Sequence, residues 1–134
     1  MNVDWVIPCR YVEVHDNLGS MIGAGIDTFW LPEIPGPLQV MLAVRLTATA
    51  EELAPGIQHT LRTVVTDVHG EAVFEAGLEF EANSDSGSSD WLNSIVIPSV
   101  VQFEPVEAGT FQLEQSVDGN SKSIPLHVIA GAPA

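Results

Sequence analysis

Alternation of apolar and polar positions is clearest between Glu71 and Ala82, where Ala72, Phe74, Ala76, Leu78, Phe80 and Ala82 are separated by Glu75, Gly77, Glu79 and Glu81. A period of two belongs to a strand, whose successive side chains point to opposite faces, so this run predicts one dry face and one wet face. Upstream, Leu61, Thr63 and Val65 share one side of the run Gln58 to Thr66, and Asp67-Val68-His69-Gly70 supplies turn residues between the two runs. Together they read as a β-hairpin. A second hairpin places Phe111, Leu113, Gln115 and Val117 before the turn Asp118-Gly119-Asn120, and Ile124, Leu126 and Val128 after it. Asp-Gly suits such a turn because both central positions tolerate positive φ. Leu38, Val40, Leu42, Val44 and Leu46 form a further alternating strand, entered through the Pro-rich link from Leu31 to Pro37.

Three segments are strand-like without clean alternation: Trp5 to Val14, Met21 to Trp30, and Trp91 to Phe103. Each carries apolar residues on both faces, which predicts a cover over the outer side. Gly19, Gly23 and Gly25 point to a hairpin turn followed by a bulged or closely approached strand, while Pro8 and Pro98 point to edge strands or bulges. One very short helix is expected at Ala50 to Leu53, because Thr49 and Glu52 match a capping box and Pro55-Gly56 stops the run. About eight short strands with turn signals between them predict an all-β antiparallel sandwich, Ig-like or jelly-roll-like. Residues 1–134 are read as a single domain. The closing hairpin and the Gln58 to Ala82 hairpin are expected to contribute central strands; beyond that the strand order is left open.

Gly-rich Met21 to Gly25, the Pro-rich link before Gln39 to Leu46, the turn Asp67-Val68-His69-Gly70-Glu71, and the stretch from Glu107-Ala108-Gly109 to Val117-Asp118-Gly119 carry a likeness. In these features the chain resembles a family of small bacterial all-β proteins carried as a domain of unknown function. The likeness runs over nearly the whole chain through its turns. It implies the fold and no activity, because that family has no assigned catalytic or binding residues.

Charge narrows the partners. Four basic residues stand against 18 acidic ones, a formal charge of -14, so phosphate backbones and anionic headgroups are repelled and there is little with which to release counterions. Nucleic-acid and membrane-surface binding are therefore not expected. Arg10, Arg45, Arg62 and Lys122 are spread along the chain and form no basic patch. Cys9 is alone, which excludes an internal disulfide. No secretory signal or membrane-length apolar run is visible, so a cytoplasmic location is expected.

Candidate chemistry is sparse. Asp85 and Asp90, around Gly87 in a polar loop, offer hard oxygen ligands for calcium, although their spacing lacks the order of an EF-hand loop. No other cofactor is expected. His15, His59, His69 and His127 lack zinc-site spacing, and Cys9 lies in an apolar run as a small hydrophobe. Glu75, Glu79 and Glu81 project side by side from one strand, whereas a glycosidase needs carboxylates on two sides of a bond. Trp5, Trp30 and Trp91 are the aromatic candidates for a sugar platform.

The functional expectation is a non-catalytic interaction or assembly module, self-associating or binding another protein, with Trp5, Ile22 and Ile95 as interface candidates on the two-sided strands. The competing classes are a ligand-binding sandwich that uses its end loops for calcium or a saccharide, and a hydrolase joining a His to a Ser or Asp from separate loops.

Overall fold

The strand Leu38–Ala48 organises the molecule: Leu38, Val40, Leu42, Val44, Leu46 and Ala48 are all buried on one face, as the alternation predicts. A computed structural model describes residues 1–81 and 92–131. Its described residues form ten strands: β1 (Asn2–Cys9), β2 (Tyr11–His15), β3 (Leu18–Ile22), β4 (Thr28–Leu31), β5 (Leu38–Ala48), β6 (Gln58–Thr66), β7 (Ala72–Glu81), β8 (Asn93–Phe103), β9 (Gly109–Val117) and β10 (Asn120–Ala130). A three-stranded sheet in the order β1-β5-β8 faces a five-stranded sheet in the order β4-β10-β9-β6-β7, and β2-β3 form a separate hairpin. The fold is an all-β sandwich. No helix among the described residues is long and apolar enough to cross a membrane.

Between the sheets, Leu42, Val44, Leu46 and Val101 meet Leu61, Val65, Phe111, Leu113, Leu126 and Val128 in one buried cluster. Each such side chain contributes about 1.5–3 kcal/mol when removed from water, which is the main stabilising term here. Within this core, Gln115 is fully buried; its Oε1 accepts from the Thr63 hydroxyl at 2.9 Å, while its Nε2 has no partner among the described residues.

Several expectations change. The strand number rises above about eight because two expected strands are each broken. Trp5 to Val14 divides at Arg10 into β1 and β2, and Met21 to Trp30 divides between Ile22 and Thr28 into β3 and β4. The second break contains Gly23 and Gly25 at φ 65° and 84°, a left-handed backbone that ends strand pairing. The sandwich is also not wholly antiparallel, since β4 pairs with β10 in parallel. β7 lies at a sheet edge instead of the centre, and Leu78, on its dry side by alternation, is 47% exposed. Pro8 and Pro98 do sit on edge strands, in β1 and β8.

The expected helix at Ala50 to Leu53 is a single hydrogen-bonded turn. The capping box forms, with Thr49 N–H donating to Glu52 Oε1 at 3.0 Å and Glu52 N–H to Thr49 Oγ1 at 3.3 Å. One i→i+4 bond follows, from Leu53 N–H to Thr49 C=O at 3.2 Å, before Pro55 and Gly56 intervene. This bond and a second, from Ala54 N–H to Glu51 C=O at 3.3 Å, do not offset the cost of fixing a helical turn, so the segment is held by Leu53, which is buried in the core.

Candidate functional site

The β2-β3 hairpin is the element that departs most from a plain sandwich. Asp16 and Asn17 stand at φ 51° and 60°, the positive-φ pair of a two-residue hairpin turn that Asp and Asn tolerate best after Gly. Pairing of Val12 with Met21 and of Tyr11 with Ile22 sorts the side chains onto two faces. Val12, Val14 and Met21 turn inward against Trp5, Cys9, Met41 and Ala43, forming a second apolar cluster on the outer face of the β1-β5-β8 sheet. Ala43 is fully buried there although it points away from the main core. For β1 the cover expected over the two-sided strands is thus supplied by the chain's own hairpin, whereas Trp30 on β4 and Val100 on β8 remain 41% and 45% exposed.

Asn17 holds that lid in place. Its Oδ1 accepts from Val96 N–H at 2.8 Å and its Nδ2 donates to Ser94 C=O at 2.6 Å, so one side-chain amide does for edge strand β8 what a neighbouring backbone would. Close approach is possible because Gly19 has no side chain: a Cβ there would lie 3.3 Å from Val96 Cγ1.

On the outward face of the hairpin, Tyr11, Leu18 and Ile22 are 45%, 73% and 65% exposed. Glu13 sits among them and raises the Tyr11 phenol above its ordinary pKa by hydrogen bonding to it. At the hairpin's base is a cleft of about 390 Å³, lined from both sheets by residues that include Cys9, Arg10, Phe29, Trp30 and Gln39. The Cys9 thiol is buried, donates to Met41 C=O at 3.5 Å, and is pushed up in pKa by desolvation, which outweighs the hydrogen bond at Tyr11. It behaves as a packed small side chain and not as a thiolate.

Arg10 differs from the other arginines. Arg45 pairs with Asp4 at 2.7 Å and Arg62 with Glu75 at 3.1 Å, whereas Arg10 makes no ion pair among the described residues. Its aliphatic stem is nevertheless placed: it lies over Gly23, where a Cβ would stand 2.8 Å from Arg10 Cγ.

A second polar constellation lies elsewhere. His59 is 4% exposed, with Nδ1 2.9 Å from Asp118 Oδ2 and Nε2 2.7 Å from the Glu52 carbonyl, and its ring packs against Phe80. The Met1 amine approaches Glu52 and Asp118. Both ring nitrogens are engaged by oxygen acceptors, and no hydroxyl or thiol is among their partners. This group ties the Thr49–Glu52 turn, β6 and the β9-β10 turn together. The signal for it was parity, since His59 shares its face with Leu61, Thr63 and Val65.

The sequence candidates are scattered. Ile22 is on the exposed hairpin face; Trp5 is half-buried beneath the hairpin; Ile95 is half-buried against the main core. Asp85, Asp90 and Trp91 lie outside the described residues. Trp30, 41% exposed, lines the cleft. His15 and His69 are exposed beside Glu13 and Glu107, and His127 Nδ1 is 2.9 Å from the Thr110 hydroxyl. Among the described residues no group of three or more His, Cys, Asp and Glu side chains is arranged to hold a metal ion.

No family model matches the chain, and no curated protein matches it. Among solved structures, it is similar to the crystal structure of a "putative beta-galactosidase" from Bacteroides fragilis, with 16% identity and a TM-score of 0.44 over 71% of this chain. The chain spans 16% of the length of that protein. A likeness of this size carries no statement about activity.

Proposed function

We propose that this domain is a non-catalytic interaction module that associates with a second copy of itself through the outward face of the β2-β3 hairpin. The observation that carries the reading is the exposure of Tyr11, Leu18 and Ile22 on one short face. Tyr11 and Ile22 lie opposite each other at the base, and Leu18 lies at the turn end beside His15. Two such faces related by a two-fold axis bring Leu18 of each copy toward the Tyr11–Ile22 pair of the other, which is the self-complementarity a symmetric dimer needs. The non-catalytic part rests on His59, whose nitrogens are both taken up in holding three segments together.

Light scattering over a range of protein concentrations tests it. The expected result is a dimer that dissociates on dilution and is lost in the Leu18→Glu, Ile22→Glu double variant, which should melt like the parent at concentrations where both are monomers. Because each copy carries a charge of -14, added salt should strengthen the dimer by screening repulsion. A strict monomer at every concentration and salt level would overturn the proposal.

A further inference from the structure

We infer that the cleft at the base of the β2-β3 hairpin is a binding site for a small ring-bearing carboxylate. This goes beyond self-association, because the cleft is lined by β1, β4 and β5 and not by the outward hairpin face. Its volume of about 390 Å³ lies within the roughly 300–1,000 Å³ that small-molecule sites occupy.

Charge selects the ligand. The chain holds 18 acidic residues, yet none is among the described residues that line the cleft, although the Asp27 carboxylate accepts from the hydroxyl of lining Thr28 at 3.0 Å, and Arg10 is the one cation among them. Arg10 is the arginine without an ion pair among the described residues, and the Gly23 backbone sets the course of its stem. A guanidinium so placed offers a planar fork of donors that fits a carboxylate in bidentate fashion. Larger polyanions are disfavoured, since one local cation has to act against a net charge of -14.

The rest of the lining selects the body of the ligand. Trp30, 41% exposed, presents a flat apolar surface from β4, with Ile26 and Met41 nearby, while Phe29 on the opposite face of that strand packs against the main core. Rings stack well on such surfaces. Beyond Arg10, the polar side chains among the described lining residues are Thr28, Gln39, Trp30 and Cys9, and three of these four are already engaged, by Asp27 at 3.0 Å, Gln102 at 2.8 Å and Met41 C=O at 3.5 Å, leaving too little for the many hydroxyls of a saccharide. A carboxylate on a flat hydrocarbon ring leaves no ligand group unmatched.

The test compares 2-naphthoate with its neutral analogue 2-naphthamide, titrated into the full chain by calorimetry and followed by ¹⁵N NMR. The expected result is that naphthoate shifts the resonances of Arg10, Trp30 and Gln39 and binds about tenfold or more tighter than the amide, the margin of a charge-assisted pair. Arg10→Gln should abolish that margin, Trp30→Leu should weaken both probes, and Leu18→Glu should change neither. Both cleft residues are exposed, so the variants should melt like the parent. Equal affinity for the two probes, a margin that survives Arg10→Gln, shifts confined to other surfaces, or no binding at millimolar probe would each overturn the inference.

Discussion

The β2-β3 and β9-β10 hairpins are built on nearly the same turn and end in opposite places. Asp16 and Asn17 take φ 51° and 60°, and Asp118 and Gly119 take 50° and 78°. Both turns also send a side chain to a third strand: Asn17 to the backbone of β8, Asp118 to His59 of β6. Yet β9 and β10 put Phe111, Leu113, Leu126 and Val128 into the main core, whereas β2 and β3 lay Val12 and Met21 on the outside of the other sheet. Turn chemistry decides that two strands pair. Where the pair docks depends on how much apolar surface its arms carry and on which polar group it can reach.

The largest expected effect tests that division. Leu113→Ala removes a fully buried side chain from the central strand β9 and should cost about 3–4 kcal/mol in urea denaturation, as deletions in a well-packed core do. Val12→Ala in the lid should cost about 1–2 kcal/mol, since fewer buried methyl groups are lost. Native-state hydrogen exchange should show β2 and β3 opening before β9 and β10 in the parent protein. Equal costs, or a single opening event for both hairpins, would mean that the lid is as integral to the fold as the core.

Cutting the side-chain ties gives intermediate effects. Asp118→Ala leaves the buried His59 Nδ1 without its partner and should cost about 2 kcal/mol. Asn17→Gly keeps a backbone that accepts φ 60° and removes only the two hydrogen bonds to β8, so it should cost about 1 kcal/mol or less. The diagnostic readout for Asn17 is local: the Val96 amide should lose exchange protection while Leu113 keeps its own. If Val96 stays protected, another group holds the lid.

The same contrast explains what could be read from the sequence. Period-two alternation identifies β5, β6, β7, β9 and β10 because each has one face in or near the core, and the two-sided run of β1 correctly signals that something covers it. Alternation does not report strand order, so β7 reads like a central strand although it borders solvent. Nor does it show that the chain breaks at Arg10 to double back: the break is stabilised by Arg10 N–H donating to Ile22 C=O at 2.9 Å and Gly25 N–H to Pro8 C=O at 2.8 Å, contacts that exist only once the hairpin has folded over. The cleft was hidden for the same reason. Arg10 reads as one of four scattered bases and Trp30 as one of three tryptophans, until β1, β4 and β5 bring them to one opening.

A third hairpin sharpens the comparison, because its turn aspartate reaches no other strand. In the β6-β7 turn, Asp67 accepts from the N–H groups of His69 and Glu71, both at 2.9 Å, and its backbone bonds to Glu71 and Gly70 close the same loop. The hydrogen bond from Glu71 N–H is the largest influence holding the Asp67 carboxyl below its ordinary pKa, and His69 N–H adds to it. A carboxylate whose folded pKa is depressed adds stability above its unfolded pKa, and that contribution is lost as pH falls through the folded value. Asp67→Asn should therefore flatten the acid limb of the stability curve, lowering stability slightly at neutral pH and converging with the parent in strong acid. Urea midpoints measured across that range decide the point. Parallel curves for parent and variant would show that the turn is held by its backbone bonds alone, and that the carboxylate of a purely local turn contributes nothing of what Asn17 and Asp118 contribute by reaching across the fold.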